Sequence, residues 1–427
     1  MSTRAKNLLI LLTLIMMPGC HKSISGNNNI FKVIETNQSF VGLKTIQLTN
    51  GNYVVAMDDV NNRNICFLIT VDESGKEIWR ENLGDSLDLV TDIQPLPNGN
   101  FVISAMDDSD QLELELCVLA PNGSFLCVDY YHPDEDSFLI QSSKIGITNN
   151  TINLVVTLSN NYYKKPNKIL NRQYTMDGVL MQEKTISTDT TNIYTSFQLV
   201  TSNSHIDLIG FFRNHTYDSG YKLPDFNYGS FLMSFNDAGH QNWLTKQGYM
   251  TVGSKNEFYF GQSMCIDQNQ NIIQAGIHSS VDVSFNIPRI YNFSLLESGG
   301  FYRQNTGDVL VVKVNEATGD TVNYNQFSLL NLSQRVEINV TKDNGCILVA
   351  TDNKYLYNSY YPSKATLIKL DQNLNQEWQT TINTSYPVAP FSIFQTASGG
   401  YLVFSMIQSF NNLQQLAIFK TDQHGNL

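Results

Sequence analysis

Matched carboxylates are the first residues of this chain that invite a chemical reading. Asp58-Asp59 and Asp107-Asp108 each close an apolar run at matching places in successive repeats. Two carboxylates on one face could hold Ca²⁺ or serve as an acid and a base; the competing expectation is a solvated loop start. Asp267-Gln-Asn-Gln-Asn and Asp371-Gln-Asn-Leu-Asn begin like calcium loops. They lack the glycine at six and the glutamate at twelve that such a loop needs, so they read as turns. The histidines (21, 132, 205, 215, 240, 278, 424) show no pair at ligand spacing. His215 and His278 sit at the roots of long loops and could line a central face, but a lone histidine is ordinarily a hydrogen-bonded structural residue. No nucleophile elbow, HExxH helix or phosphate loop is present. The sequence therefore assigns no catalytic residue, no metal ligand and no cofactor.

Aromatic loops are the stronger signal. Segments 159–168, 213–229, 279–308 and 353–364 carry Tyr162, Tyr163, Tyr217, Tyr221, Tyr228, Tyr291, Tyr302, Tyr357, Tyr360 and Tyr361. Tyrosine suits a partly wet contact surface, and long loops in a compact repeat are functional or disordered. These ten are the candidate ligand-binding residues. The bland alternative, that the rings pack the loops onto one another, stands beside it with equal weight.

The elements that position these loops come from a unit read seven times. Its first turn falls at Asn50-Gly51, Asn98-Gly99, Asn149-Asn150, Asn203-Ser204, 268–271, Asn344-Gly345 and 398–400. The strand after each reads YVVAM, FVISAM, INLVVTL, IDLIGFF, IIQAGI, ILVAT and YLVFS. A further strand such as TLIKLD or LAIFKTD then enters a second turn (DESG, APNG, MDG, NDAG, NEATG, DQNLN, DQHG). Four short strands in a period of roughly 50 residues are the pattern of propeller blades. The three tryptophans, Trp79, Trp243 and Trp378, each follow by seven residues the Asp or Asn that opens the second turn. A large ring at one repeat position predicts a wedge between blades.

The last unit stops at Leu427 before a fourth strand, while 30–36 (IFKVIET) is a strand without a unit. The expectation is an all-β, seven-bladed β-propeller over 30–427, closed by its N-terminal strand, which removes the open sheet edges. In such a blade the A–B and C–D turns share one face. The long B–C loops share the other with the connections between blades.

The N-terminus reads as targeting. Arg4 and Lys6 precede an apolar run from Leu8 to Met17, then Pro18-Gly19-Cys20. Ten apolar residues are too few to span a bilayer. The segment resembles a bacterial lipoprotein signal, although Met17 and Pro18 stand where leucine and a small residue are usual. The resemblance implies cleavage after residue 19, lipidation at Cys20, and a tether over 20–29. Losing Arg4 and Lys6 leaves 25 basic against 39 acidic side chains, a net −14. Such a chain is a poor candidate for nucleic acid or an anionic lipid surface. Cys66, Cys117, Cys127, Cys265 and Cys346 show no CxxC spacing. They read as free, mostly buried thiols, with a Cys117–Cys127 disulfide across their turn left open.

The units SIFQTASGGYLVFS…LAIFKTDQHGN and TLIKLDQNLNQEWQTT resemble the Gly-Gly-Tyr/Leu-x-Lys-Leu-Asp repeat of β-propeller lipoproteins from the Bacteroidetes. VDESGKEIW resembles the tail of the pyrroloquinoline-quinone-type propeller repeat. The likeness implies a fold and not an activity. The expected function is a non-catalytic, monomeric module of the bacterial cell envelope. It would be held to the membrane through its lipid alone, facing periplasm or cell surface, with a protein or glycan docking on the Tyr-rich face. The alternative is a polysaccharide-acting hydrolase or lyase. The ligand, the membrane leaflet and calcium binding by any blade stay open.

Overall fold

The computed structural model describes residues 32–34, 40–59, 66–84, 89–106, 113–133, 138–160, 166–189, 192–202, 205–214, 228–248, 250–252, 255–279, 308–329, 332–352, 364–384, 388–408 and 414–427. Every regular element among them is a strand. The chain enters through β1 (Lys32–Ile34). Blade 1 is β2 (Phe40–Gln47), β3 (Tyr53–Asp59), β4 (Cys66–Val71) and β5 (Glu77–Gly84). Blade 2 is β6 (Leu89–Pro95), β7 (Phe101–Met106), β8 (Leu114–Leu119) and β9 (Phe125–Tyr131). Blade 3 is β10 (Phe138–Thr148), β11 (Thr151–Asn160), β12 (Asn167–Tyr174) and β13 (Leu180–Asp189). Blade 4 is β14 (Asn192–Thr201), β15 (His205–Asn214), β16 (Tyr228–Asn236) and β17 (Gln241–Gly248). Blade 5 adds a short β18 (Met250–Val252) to β19 (Lys255–Ile266), β20 (Asn271–Ser279), β21 (Asp308–Asn315) and β22 (Thr321–Ser328). Blade 6 is β23 (Leu332–Val340), β24 (Cys346–Asp352), β25 (Lys364–Leu370) and β26 (Gln376–Asn383). Blade 7 is β27 (Val388–Gln395), β28 (Tyr401–Gln408) and β29 (Gln414–Thr421). Its fourth strand is β1, antiparallel to β29 with Val33 opposite Ala417. The ring closes as the sequence predicts. The leader, Cys20 and the tether lie outside the described residues.

Each blade is buried on both faces, which is why its second strand is a continuous apolar run rather than an alternating one. Val54 and Ala56 of β3 pack towards blade 2, whereas Tyr53, Val55 and Met57 pack towards blade 7. The apolar core accordingly divides into seven clusters, one per seam between blades. The closing strand serves two of them, Ile34 in the seam with blade 1 and Val33 in the seam with blade 6.

The tryptophans are wedges as predicted, and the structure adds their partners. Each indole N–H donates to, or each ring covers, the C–D turn of the next blade. Trp79 reaches the Pro121 carbonyl at 2.8 Å and Trp243 the Glu316 carbonyl at 2.7 Å. Asn323, at the same register in blade 5, donates to the Asn373 carbonyl at 2.6 Å. A Cβ added at Gly319 would lie 2.8 Å from Trp243, and one at Gly425 would lie 2.5 Å from Trp378. Both glycines also hold positive φ, so the turn and the ring make the same demand. All three rings are half-buried rather than buried.

The Asp-headed turns are turns. Asp371 Oδ1 accepts the Asn373 and Asn375 N–H groups at 2.8 Å each, and Asp267 accepts those of Asn269 and Asn271. Lys313 adds an ion pair to Asp267 at 2.9 Å. Cys117 and Cys127 are both free. A register shift between Val118 and Leu119 sets Cys117 opposite Val128 and Cys127 opposite Val118, so the two thiols occupy opposite faces of the sheet.

Two outcomes test this architecture. Deleting 30–36 should leave blade 7 with an open edge and lower the melting temperature sharply, with loss of cooperativity; an unchanged melt would refute closure by β1. Trp378→Ala should cost about 2 kcal/mol, below the 3–5 expected for a fully buried ring, read as a shifted denaturant midpoint at constant slope.

Candidate functional site

The innermost strand of each blade lines a central cavity of about 600 Å³, to which all seven contribute. Every one of these strands carries a register shift, for example between Val90 and Asp92, Ile140 and Ser142, Ser196 and Gln198, and Gly261 and Ser263. A bulge bends the strand and re-aims the residue after it. In blades 2, 3, 4, 5 and 7 that residue reaches the next blade. Asp92 Oδ2 accepts the Ile145 N–H at 2.8 Å, and Ser142 Oγ accepts that of Ser196 at 2.9 Å. Gln198 Oε1 accepts from Met264 at 2.6 Å, Ser263 Oγ from Ile338 at 3.2 Å, and Ser392 Oγ from Thr45 at 3.1 Å. Free edge N–H groups around the axis are thereby capped by side chains instead of by another strand.

The charges in the cavity are held by one another and by backbone. Lys44 pairs with Asp92 at 2.5 Å, and Asp92, 1% exposed, also accepts the Ile93 N–H. Lys144 donates to the Thr91 carbonyl at 2.7 Å, and Arg335 pairs with Glu337 at 3.0 Å. Gln47, Gln94, Gln262 and Asn339 add amides, and Phe197, Phe391 and Phe394 add rings.

Nine of the ten candidate tyrosines, all but Tyr228, lie outside the described residues. Tyr228 opens β16 opposite Arg213, at the root of its loop. The four long segments join the second and third strands of blades 3 to 6. Asp58 corrects an expectation. It is no solvated loop start: it is 7% exposed, opposite Cys66, and burial together with its charge pushes the Cys66 thiol up. Asp59 ends β3, and Asp107, Asp108 and His215 lie outside the described residues.

One grouping escaped the sequence reading. Tyr259 on β19 stands directly opposite His278 on β20, which stands directly opposite Asp308 on β21. Side chains paired across adjacent strands share a face and lie within reach of one another. Tyr259 is buried with its hydroxyl lacking a hydrogen-bond partner among the described residues, and desolvation pushes that phenol well up. His278 and Asp308 flank the loop 280–307. A protonated phenol beside an imidazole backed by a carboxylate is an arrangement for proton transfer. Only its histidine was legible in advance, because the three residues are distant in sequence and meet through strand register.

No protein-family model matches the chain, and no curated protein matches it in sequence. Solved structures do match in shape. A polysaccharide lyase of the PL25 ulvan-lyase family aligns with a TM-score of 0.58 at 9% identity, over 92% of this chain and 97% of that one. The same family bound to -[GlcA(1-4)Rha3S]- aligns at 0.57 and 9%, over 93% and 96%. An α-L-arabinanase of Penicillium chrysogenum complexed with arabinobiose covers 93% of this chain and all of its own at 9% identity, with a TM-score of 0.44. At such identity the likeness is one of fold: the chain is a seven-bladed β-propeller.

Proposed function

We propose that this protein is a lipid-anchored propeller of the bacterial cell envelope that binds a glycan on its B–C face without turning it over. The carrying observation is the asymmetry of the ring. The A–B and C–D turns are tight, whereas four of seven blades carry long Tyr-rich segments between their second and third strands. The cavity's charged groups are committed to ion pairs and backbone, which suits a scaffold better than a catalyst. The polysaccharide lyase of similar shape supports a carbohydrate over a protein as the ligand. A protein partner is the other occupant of this face. The segment Leu8–Cys20 supports the anchor, and no helix among the described residues is long and apolar enough to cross a membrane.

A second reading has its own observation. The Tyr259–His278–Asp308 row fits a lyase acting on a uronate-containing polysaccharide. The imidazole would take the proton α to the sugar carboxylate, and the phenol would protonate the leaving glycosidic oxygen. The products would be an unsaturated uronide and a new reducing end.

Affinity electrophoresis against neutral and uronate-containing polysaccharides tests binding. Replacing Tyr357, Tyr360 and Tyr361 with Ala should weaken retention, each by about 1–3 kcal/mol, while leaving the melting temperature nearly unchanged. Tyrosine variants that melt as badly as Trp378→Ala would show that the rings pack the loops. Absorbance of an unsaturated product separates the two readings: none should form, and product formation lost in both Tyr259→Phe and His278→Ala would replace the binding reading by the lyase. Mass spectrometry of the mature N-terminus should find a lipidated Cys20; any other first residue removes the anchor.

A further inference from the structure

The seam between blades 4 and 5 differs in kind from the rest. Among the described residues its apolar cluster has six buried members, Ile209, Leu232, Met264, Ile272, Val312 and Val314. The other seams have between ten and sixteen. At one register of the second strand, blades 1, 2, 5, 6 and 7 carry Val54, Val102, Ile273, Ile347 and Leu402. Blade 4 carries Asp207 there, opposite Ser234, and it is wholly buried. Blade 3 also breaks the rule, with Asn153, but that amide is served by Thr148, Asn171 and Gln173.

Asp207 has less service: the Ser234 hydroxyl faces it and favours its ionised form, against the larger effect of burial. Neither of its carboxyl oxygens makes a complete hydrogen bond among the described residues, nor does Glu316 Oε1. Glu316 is the second residue of the C–D turn of blade 5, the position that elsewhere reaches back to the preceding blade, as Asp237 does to Thr148 at 2.7 Å. Its backbone carbonyl takes the Trp243 indole N–H, which pins its carboxyl beside Asp207. The groups facing the pair can be named element by element. From β15 comes His205, with Nδ1 3.3 Å from Glu316 Oε2. From β16 comes Ser234, to whose hydroxyl Asn242 of β17 donates at 3.3 Å. From β20 and β21 come the apolar Ile272, Val312 and Val314. Among the described residues no lysine or arginine pairs with either carboxyl.

Two adjacent carboxyls in a dry seam cannot both ionise without a counter-charge. We propose that Asp207 and Glu316 share one proton across the joint between blades 4 and 5, making that joint a pH-sensitive seam of the ring. With the proton in place the pair carries one negative charge instead of two and the seam is shut; without it two carboxylates face each other across the joint. Burial and the Glu316 charge hold Asp207 protonated well beyond the ordinary carboxylate range. The sign follows from that direction. The folded state retains a proton that the unfolded chain releases near pH 4, so the contribution of the pair to stability is whole below that pH. It is lost progressively as pH rises towards the pH at which folded Asp207 ionises. The long segments 215–227 and 280–307 spring from the two blades that this seam joins, at its other end.

The experiment is a set of melts of the full mature chain between about pH 5 and pH 8, comparing wild type with Asp207→Asn and Glu316→Gln. Each unit of displaced titration changes the folded-to-unfolded ratio tenfold. The wild-type ratio should fall by at least tenfold relative to Asp207→Asn across that range, with the variant the more stable at the alkaline end. Glu316→Gln removes the same repulsion from the other side, and it serves alone if Asp207→Asn does not fold. Variants that keep the wild-type slope overturn the proposal. So does stabilisation of wild type, but not of the variants, by added calcium chloride at the alkaline end, because the pair would then be a cation site.

Discussion

Closure of the ring is the constraint on which everything else rests. A four-stranded blade with two apolar faces cannot exist in water alone; each face is covered only by a neighbour, and the first and last blades are neighbours only if the chain's ends meet. Three residues accomplish this. Lys32, Val33 and Ile34 pair with Ile418, Ala417 and Leu416, and the alternation of a strand sends Val33 to one seam and Ile34 to the other. The same pairing hides the edge of β29, which would otherwise offer itself to other chains.

Around that closure the repeat motif acquires a physical meaning. The lysine of the Leu-x-Lys-Leu-Asp pattern is a tie rather than a surface charge. Lys369, 2% exposed, holds Asp343 at 2.9 Å and Glu377 at 3.0 Å, and Lys313 holds Asp267 while donating to the Gln372 carbonyl of the next blade at 2.6 Å. Lys420 pairs across the closing seam with Glu73 of blade 1 at 3.6 Å. In blade 6 Trp378 on the outer strand, Gly425 in the facing turn and Lys369 on the strand between are successive courses of one joint. Leu374 shows how strongly the turn geometry is imposed: it holds φ 65°, unfavourable for a branched residue, and recovers that cost by complete burial in the seam of blades 5 and 6.

A ring built this way separates stability from function. The tight-turn face carries the interlocks, and the axis is consumed by capping edge N–H groups. On the B–C face loop length can vary without disturbing a seam. The joint of blades 4 and 5 departs from this division. It replaces apolar packing by Asp207 and Glu316 at the tight-turn face and sets Tyr259, His278 and Asp308 in register at the loop face. Departures from a repeat's own rule mark places where something other than packing has shaped the sequence.

The sequence by itself determined the number of blades, the closing strand, the turns and the wedge position. Those features are local, or recur at a fixed period, and hydrophobic runs and turn residues report them directly. Trp79, Trp243 and Trp378 could be set in register by counting from the second turn. Only the tertiary structure decided what depends on which face of a strand a residue takes and what stands across a seam. Asp58 and Asp207 both stand at apolar strand runs, yet one lies beside a thiol and the other beside a second carboxyl. Cys117 and Cys127 look symmetric about a turn until one bulge puts them on opposite faces. The Tyr259–His278–Asp308 row exists because antiparallel register brings together residues far apart in the chain. A period of two makes each such outcome turn on a single residue of register, and bulges change that register without leaving a mark that composition can reveal.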